Sequence, residues 1–383
     1  KEVFSVLRRR RASRPRPRRA VASVAMCSCR CLRRLCGAFC LSVFVALVAV
    51  LVNVPVVKRA MHCLTHSQMQ PLPQAEDPEG RLRQIHVVYS GDQRSLGGVF
   101  VSMHSVVRSQ PEPGLLTIHL IVAKEDMENV TNVVACLRGE LSDLSAQPTI
   151  ELHELKPLAF DPSNNTFGKH GDGVAGIGTA SLPSCWLRIW LGDYLQVPRV
   201  IWLDHDVLSF GDLGPLYRMK MEHPLAAAPE WITQSMLQAG VLLIDLDRFR
   251  TEGLPEEMLD KVRRYHEVTT DFSDQDVLNA QFPLGKRDAL DWRWNTGSMG
   301  ILFMTEEEKQ WLPKSHPVEV FGVGLIQWSS RIVYERCMDQ VRLVHLNWGP
   351  KFWWKNETFP RCDLVKRVAP RNPCLGWKLA CDL

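Results

Sequence analysis

The chain has 383 residues, enough for one large domain or two smaller ones, and at 45% hydrophobic and 23% charged residues its composition is that of an ordinary globular protein. Residues 1–34 carry twelve Lys/Arg against one Glu, which is +11 of a net charge of only +4 and leaves −7 on everything after them. The basic character therefore belongs to the N-terminus and does not argue for a nucleic-acid-binding domain.

From Leu35 to Val57 the sequence is almost unbroken apolar, interrupted only by Ser42 and Asn53. As a helix its 23 residues would span about 34 Å, against a bilayer core of about 30 Å. A cleaved signal peptide has a shorter apolar region and a small-x-small site after it, where this chain has Pro55, Lys58 and Arg59. Arg30, Arg33 and Arg34 precede the span. The expectation is a single-pass signal anchor with its N-terminus cytoplasmic and the following domain lumenal, in the Golgi or endoplasmic reticulum membrane. Met26 is a candidate start just before the anchor, which would leave residues 1–25 outside the native chain.

Cys27, Cys29, Cys31, Cys36 and Cys40 gather at the membrane edge as candidates for palmitoylation. Of the seven beyond the anchor, no pair has CxxC spacing, and Cys362, Cys374 and Cys381 are the expected place for disulfides. Asn129, Asn164 and Asn356 open N-x-Thr sequons, in keeping with a secretory-pathway domain.

Residues 58–83, with Pro71, Pro73 and Pro78, read as a stem. A folded domain is expected over 84–355 and a cysteine-containing tail over 356–383. Strands are predicted at Ile85–Ser90, Leu116–Val122 and Thr149–Leu152, separated by helices over Gly98–Ser109 and Asp126–Leu141. This β-α-β-α-β order points to an α/β fold with a mostly parallel sheet of nucleotide-binding type. Asp161 to Ala180 holds five glycines and reads as a loop, but no Gly-Lys-Ser/Thr makes it a P-loop. Leu182–Tyr194 and Pro255–Val268 read as helices, Gln238–Asp245 as a strand, and Ser273 as the cap of a helix beginning at Asp274.

The stretch around which the rest is organised is Arg199 to Leu208. Its β-branched apolar run ends in Asp204-His205-Asp206. Ligands of open α/β sheets bind beyond the carboxyl ends of strands, and two carboxylates there suit Mn²⁺ or Mg²⁺ holding a phosphate. The plainer reading of so short a motif is a pair of turn caps. On a strand, His205 would point away from both carboxylates. Near the C-terminus, Val341–Val344 reads as a strand, and His345, Gly349, Lys351 and Trp353 follow it. An imidazole completes a carboxylate metal set, Gly349 lets a phosphate approach, and Lys351 neutralises one.

With those motifs in place, Ile85 to Trp354 resembles the family 8 retaining glycosyltransferases, which include glycogenin and the bacterial galactosyltransferases. The family's strand-end Asp-x-Asp is Asp204-His205-Asp206. Its Asn-Ala-Gly strand is Gln238-Ala239-Gly240, with Gln for Asn. Its Asp-Gln-Asp-x-Leu-Asn is intact from Asp274 to Asn279, and its C-terminal His…Gly…Lys pattern is His345, Gly349 and Lys351, one residue longer than usual between the first two. The resemblance implies a GT-A fold with a mixed, mostly parallel central sheet, a divalent metal and a UDP-sugar donor. It implies Asp204, Asp206 and His345 as metal ligands; Tyr89 and Asp92 near the uracil; His205, Gln238, Ala239 and Gly240 along the donor; and Gly349 and Lys351 over the diphosphate. Arg188, Asp274 and Gln275 would meet the donor sugar, Gln275 nearest the reacting carbon. The expected activity is transfer of a hexose or pentose from a UDP-sugar to a glycan or glycoprotein acceptor. The alternatives are a non-catalytic glycan-binding or scaffold protein on the same fold, and more remotely a metal-dependent phosphohydrolase.

Overall fold

Ile85–Gly91 and Leu116–Val122, rich in β-branched residues, form neighbouring parallel strands, β1 and β2, with side chains buried on both faces. The computed structural model describes residues 55–65, 82–92, 95–164, 183–230, 235–297, 328–347 and 362–368. Helix α1 is Pro55–Thr65, α2 Leu96–Ser109 and α3 Met127–Glu140; β3, Thr149–Glu154, runs parallel to β2. Then come β4 (Arg199–Leu203), β5 (Val207–Ser209), β6 (Leu225–Pro229), β7 (Leu237–Asp245), α4 (Leu254–Val268), α5 (Asp274–Gln281), β8 (Asp288–Ala289), β9 (Leu343–His345) and α6 (Cys362–Val368).

The main sheet has the order β3-β2-β1-β4-β7-β6-β8, and in it β7 alone runs against the others. This is the mixed, mostly parallel sheet expected. Period two divides its side chains between two cores. Val87, Tyr89, Ile118, Ile201 and Leu243 pack with α2 and α3 on one face; Val88, Ile121, Trp202 and Leu242 pack with α4 and α5 on the other. A separate two-stranded sheet pairs β5 with β9 in antiparallel, placing Val207 opposite His345.

Two readings are corrected. Leu182–Tyr194 is not one helix: Pro183–Trp186 and Leu191–Tyr194 are single helical turns joined by a 3₁₀ turn, Leu187–Ile189, where tertiary contacts override helix propensity, with Trp186, Leu187, Ile189 and Leu191 buried and Arg188 donating to Ala239 O of β7. The start of the expected stem is part of the fold: α1 buries Val57, Arg59, Ala60 and Cys63. Cys63 is bonded to Cys337, 274 residues away, and Cys136 is disulfide-bonded as well, while the expected pairing of Cys362, Cys374 and Cys381 falls on side chains outside the described residues. Among the described residues no helix is long and apolar enough to cross a membrane. Residues 35–54 of the apolar span, residues 165–180 of the expected loop, Asn356 and the cysteines at 374 and 381 lie outside them.

Three histidines line up across the first three strands. His86 Nδ1 is 3.0 Å from His119 Nε2, and the two rings stack with centroids 5.2 Å apart; His119 Nδ1 is 3.1 Å from His153 Nε2. Burial, reinforced by His86 and His153, pushes the His119 imidazole down to about 3.

Candidate active site

β4 stops at Leu203 because the chain turns. The Val207 N–H donates to the Asp204 carbonyl at 3.1 Å, and β5 begins at once. His205 is thus a turn residue, not a strand residue, and the argument that it must face away does not apply. β7 steadies the turn: the Asp204 N–H donates to Gly240 O at 2.9 Å.

The two oxygens of Asp204 have different surroundings. Oδ1 accepts from Trp202 Nε1 at 2.8 Å and from Arg188 Nη2 at 3.2 Å. Oδ2 faces His345 Nε2 at 3.9 Å, and Asp206 Oδ1 lies 3.1 Å from the same nitrogen. The ligand atoms of Asp204, Asp206 and His345 all fall within 4.8 Å of one another. His345 reaches the turn because β9 pairs with β5 and its N–H donates to Thr296 O at 3.1 Å. Its Nδ1 lies 3.2 Å from Asn295 Oδ1, so an N–H there donates to the amide and leaves the Nε2 lone pair directed at the carboxylates. Gly240 makes the room: a Cβ on it would stand 1.9 Å from His345 Cε1. Two carboxylates and an imidazole whose outer nitrogen is already bonded fit a hard divalent cation such as Mn²⁺.

Arg188 ties this turn to its surroundings. Beyond Asp204 it donates through Nη1 to Ala239 O at 2.6 Å and through Nε to Cys185 O at 3.3 Å, and its guanidinium sits 4.7 Å over the Trp202 ring. Burial alone would lower its pKa, but Asp274 and then Asp204 outweigh it and hold the arginine above its ordinary value. Asp274 Oδ2 is 2.8 Å from Arg188 Nε yet accepts no hydrogen bond, since the Nε–H points to Cys185 O. Burial raises Asp274 to about 6, a shift that Arg188 opposes. A buried carboxylate oxygen with charge contact but no hydrogen bond is suited to accept from a ligand hydroxyl. Burial pushes the neighbouring Cys185 thiol up to about 12, which rules it out as a nucleophile near neutral pH.

The Asp274–Asn279 motif acquires a structural account. Ser273 and Asp276 form a capping box at the start of α5. Gln275 Oε1 accepts from Ala239 N at 3.1 Å and Asn279 Oδ1 from Leu237 N at 2.7 Å, so the motif fastens α5 to the stretch of β7 that runs beyond its pairing with β4, while Asp274 faces Arg188. Gln238 is buried with its amide against Gly297, where a Cβ would come within 2.5 Å. Asp92, at the end of β1, accepts from the Ser95 N–H through Oδ1 at 3.0 Å and is half-buried at the sheet's carboxyl edge. Tyr89 is a correction: it is fully buried in the core, its hydroxyl 3.0 Å from Ser102 Oγ, and has no face for a base. Period two puts Tyr89 on the α2 face of β1, away from the cleft. Gly349 and Lys351 lie outside the described residues.

Two participants escape sequence reasoning. Trp202 precedes Asp204 by two, so the strand period places both on one face and was signal enough. Asn295 is 50 residues from its partner His345, and no local pattern marks it. Asn295 also borders a cavity of about 310 Å³ with Arg59 and His62 of α1, Pro229, Leu290 and Trp292.

Known proteins resemble this chain in sequence and in fold. The sequence profile of "Glycosyl transferase family 8" matches residues 86–357. Among curated relatives, "Probable galacturonosyltransferase-like 8" of Arabidopsis thaliana is 25% identical over 71% of this chain and 72% of its own length. Glycosyltransferase GlyE of Streptococcus pneumoniae is 31% identical over 25% of this chain and 24% of its own. The matches to GlyA and GlyB of the same organism span only 15% and 24% of those proteins. Among solved structures, the galactosyltransferase LgtC, in complex with donor and acceptor sugar analogues, superposes with a TM-score of 0.51 at 20% identity, covering 74% of this chain and 95% of that one, and shows the same fold. The matched region begins in β1 and ends beyond β9, so it takes in both carboxylates, Arg188, the α5 motif and His345, and the chain belongs to glycosyl transferase family 8.

Proposed function

We propose that this protein is a metal-dependent glycosyltransferase that moves a hexose or pentose from a UDP-sugar to a hydroxyl of a glycan acceptor, retaining the anomeric configuration. The observation that carries the reading is the convergence of Asp204, Asp206 and His345 at the carboxyl end of β4, with Asn295 and Gly240 fixing the imidazole. Mn²⁺ or Mg²⁺ held there would offset the negative charge that develops on a departing diphosphate. Arg188 keeps Asp204 Oδ1 occupied, so that Oδ2 is the oxygen offered to the ion. Asp274 Oδ2 accepts from a donor-sugar hydroxyl, and Gln275, tied to β7, stands beside the anomeric carbon. Gly349 and Lys351 complete the phosphate side. Cys185 is no nucleophile and Asp274 is engaged with Arg188, which supports attack from the face the diphosphate leaves rather than a covalent route. The cavity beside Asn295, with Trp292 as a platform for an apolar sugar face, is assigned to the acceptor.

The apolar residues 35–54 and the Cys63–Cys337 bond support a type II membrane protein with its domain in an oxidising lumen. Protease protection in sealed microsomes tests that placement; digestion of the domain without detergent would defeat it. For the activity, a panel of UDP-sugars is incubated with and without Mn²⁺. Metal-dependent release of UDP, with an α-configured product by NMR, is the expected result. A folded protein that neither hydrolyses nor binds any UDP-sugar with metal present would return the reading to a glycan-binding scaffold.

A further inference from the structure

The β2–β3 edge of the sheet carries a second group of metal-ligating side chains that sugar transfer does not use. His119 stands directly opposite Glu151 in the register, and His153 follows two residues along the same face of β3. Their ligand atoms converge on one point. His119 Nδ1 is 3.2 Å from Glu151 Oε2 and 3.1 Å from His153 Nε2, and His153 Nε2 is 3.7 Å from Glu151 Oε2. Ligands bonded tetrahedrally to zinc at 2.0–2.1 Å lie about 3.3 Å from one another. We propose that His119, Glu151 and His153 form a zinc site that joins the edge strand β3 to β2, with its fourth position open to water.

The surroundings fit that assignment. Two imidazoles and one carboxylate favour zinc over Mg²⁺ or Ca²⁺, which take oxygen sets. The nitrogen of His119 that faces away from the site, Nε2, is 3.0 Å from His86 Nδ1. Donation from Nε2–H to His86 fixes the tautomer in which Nδ1 carries the free lone pair. His119 is 3% exposed in its side chain while His153 is 24% and Glu151 48%, so the group has a buried floor and an open side by which an ion enters. β2 and β3 are the second and third strands out from β4, about 10–14 Å across the sheet at 4.7–4.9 Å per strand, which keeps this group apart from the Asp204 turn. Without a metal the hydrogen bond between His119 Nδ1 and His153 Nε2, at 3.1 Å, joins the same two strands.

The experiment separates the two. The full chain, purified without a polyhistidine tag and carrying Asp204→Asn and Asp206→Asn to silence the other metal set, is stripped with chelator and titrated with Zn²⁺ by calorimetry and with Co²⁺ by visible absorption. One equivalent of Zn²⁺ and a tetrahedral Co²⁺ spectrum are expected. His153→Ala should weaken zinc binding by about 100-fold and Glu151→Gln by about 10-fold, each abolishing the cobalt spectrum. Both residues are partly exposed on an edge strand, so both variants should keep the parent's far-UV circular dichroism; in the otherwise unchanged chain neither should alter Mn²⁺-dependent transfer. Absence of zinc binding to the silenced chain, or zinc affinity and stoichiometry unchanged in both variants, would overturn the site and leave the hydrogen bond between the two histidines.

Discussion

Gly240→Ala is the sharpest test of how the candidate metal set is assembled. The added Cβ would stand 1.9 Å from His345 Cε1, 2.4 Å from Nδ1 and 2.6 Å from Nε2, where real Cβ atoms essentially never come closer than 3.0 Å. To clear it the ring must withdraw by at least about 1.1 Å, roughly five times the 0.2 Å tolerance of a metal–ligand bond. His345 has little freedom to do so, being buried, paired through its backbone to Thr296 and held at Nδ1 by Asn295. Overpacking of this kind costs about 1–3 kcal/mol of stability. Displacing the ligand should weaken Mn²⁺ by about 10–100-fold, or about 1.4–2.7 kcal/mol. Mn²⁺ titration of UDP binding by calorimetry reads the second quantity, and urea unfolding without metal reads the first. Gly139→Ala is the control: a Cβ there meets nothing within 4 Å, and it should leave metal binding alone while stabilising α3 by up to about 1 kcal/mol. A folded Gly240→Ala protein with parental Mn²⁺ affinity would show that His345 is not a ligand in the position described.

Arg188→Lys should weaken Mn²⁺-dependent UDP binding by at least tenfold, because an ammonium cannot reach Asp204 Oδ1, Ala239 O and Cys185 O together; unchanged binding in calorimetry would remove Arg188 from its positioning role. Asp274 has a folded-state pKa of about 6, above the ordinary 3.8, so the metal-free folded chain holds its proton where the unfolded chain releases it, and this contribution to stability is lost as pH rises from about 4 to about 6. Asp274→Asn should flatten that part of the profile of unfolding midpoint against pH and abolish most transfer; a slope identical to the parent's would refute the assignment. Cys63→Ser should lower stability by about 2–5 kcal/mol in urea unfolding, as expected for opening a 274-residue loop, and an unmoved midpoint would make the bond incidental.

What could be read from the sequence was what is local. The β4 run and its two carboxylates, the β-α-β order and the Ser273 cap depend on neighbours within a few residues, and the strands and the cap stand where their patterns put them. Tyr89 was misjudged because its role depends on which face of β1 meets α2, and a strand buried on both faces carries no alternation to decide it. The α5 motif was legible as a pattern but not as a fastening, since its partners are backbone N–H groups of β7 whose register no sequence displays. The same blindness to register hid His119 opposite Glu151, although β3 is polar at Thr149, Glu151 and His153 and β2 at Thr117 and His119. Cys63 and Cys337 are too far apart for spacing to pair them.

The strand that brings His345 to the Asp204 turn has a consequence for synthesis. Asp206 and His345 are separated by about 140 residues, which at about 5–20 residues per second is roughly 7–28 s of translation. During that interval the β1–β4 half can fold, but its two carboxylates stand beside an empty β5 edge, where no imidazole is available. Any chain cut short before β9 therefore keeps most of the sheet and loses the third ligand. A ribosome that stalls before β9 should release a domain that carries Asp204 and Asp206 but not the imidazole, and not the Cys63–Cys337 bond if it stops before Cys337.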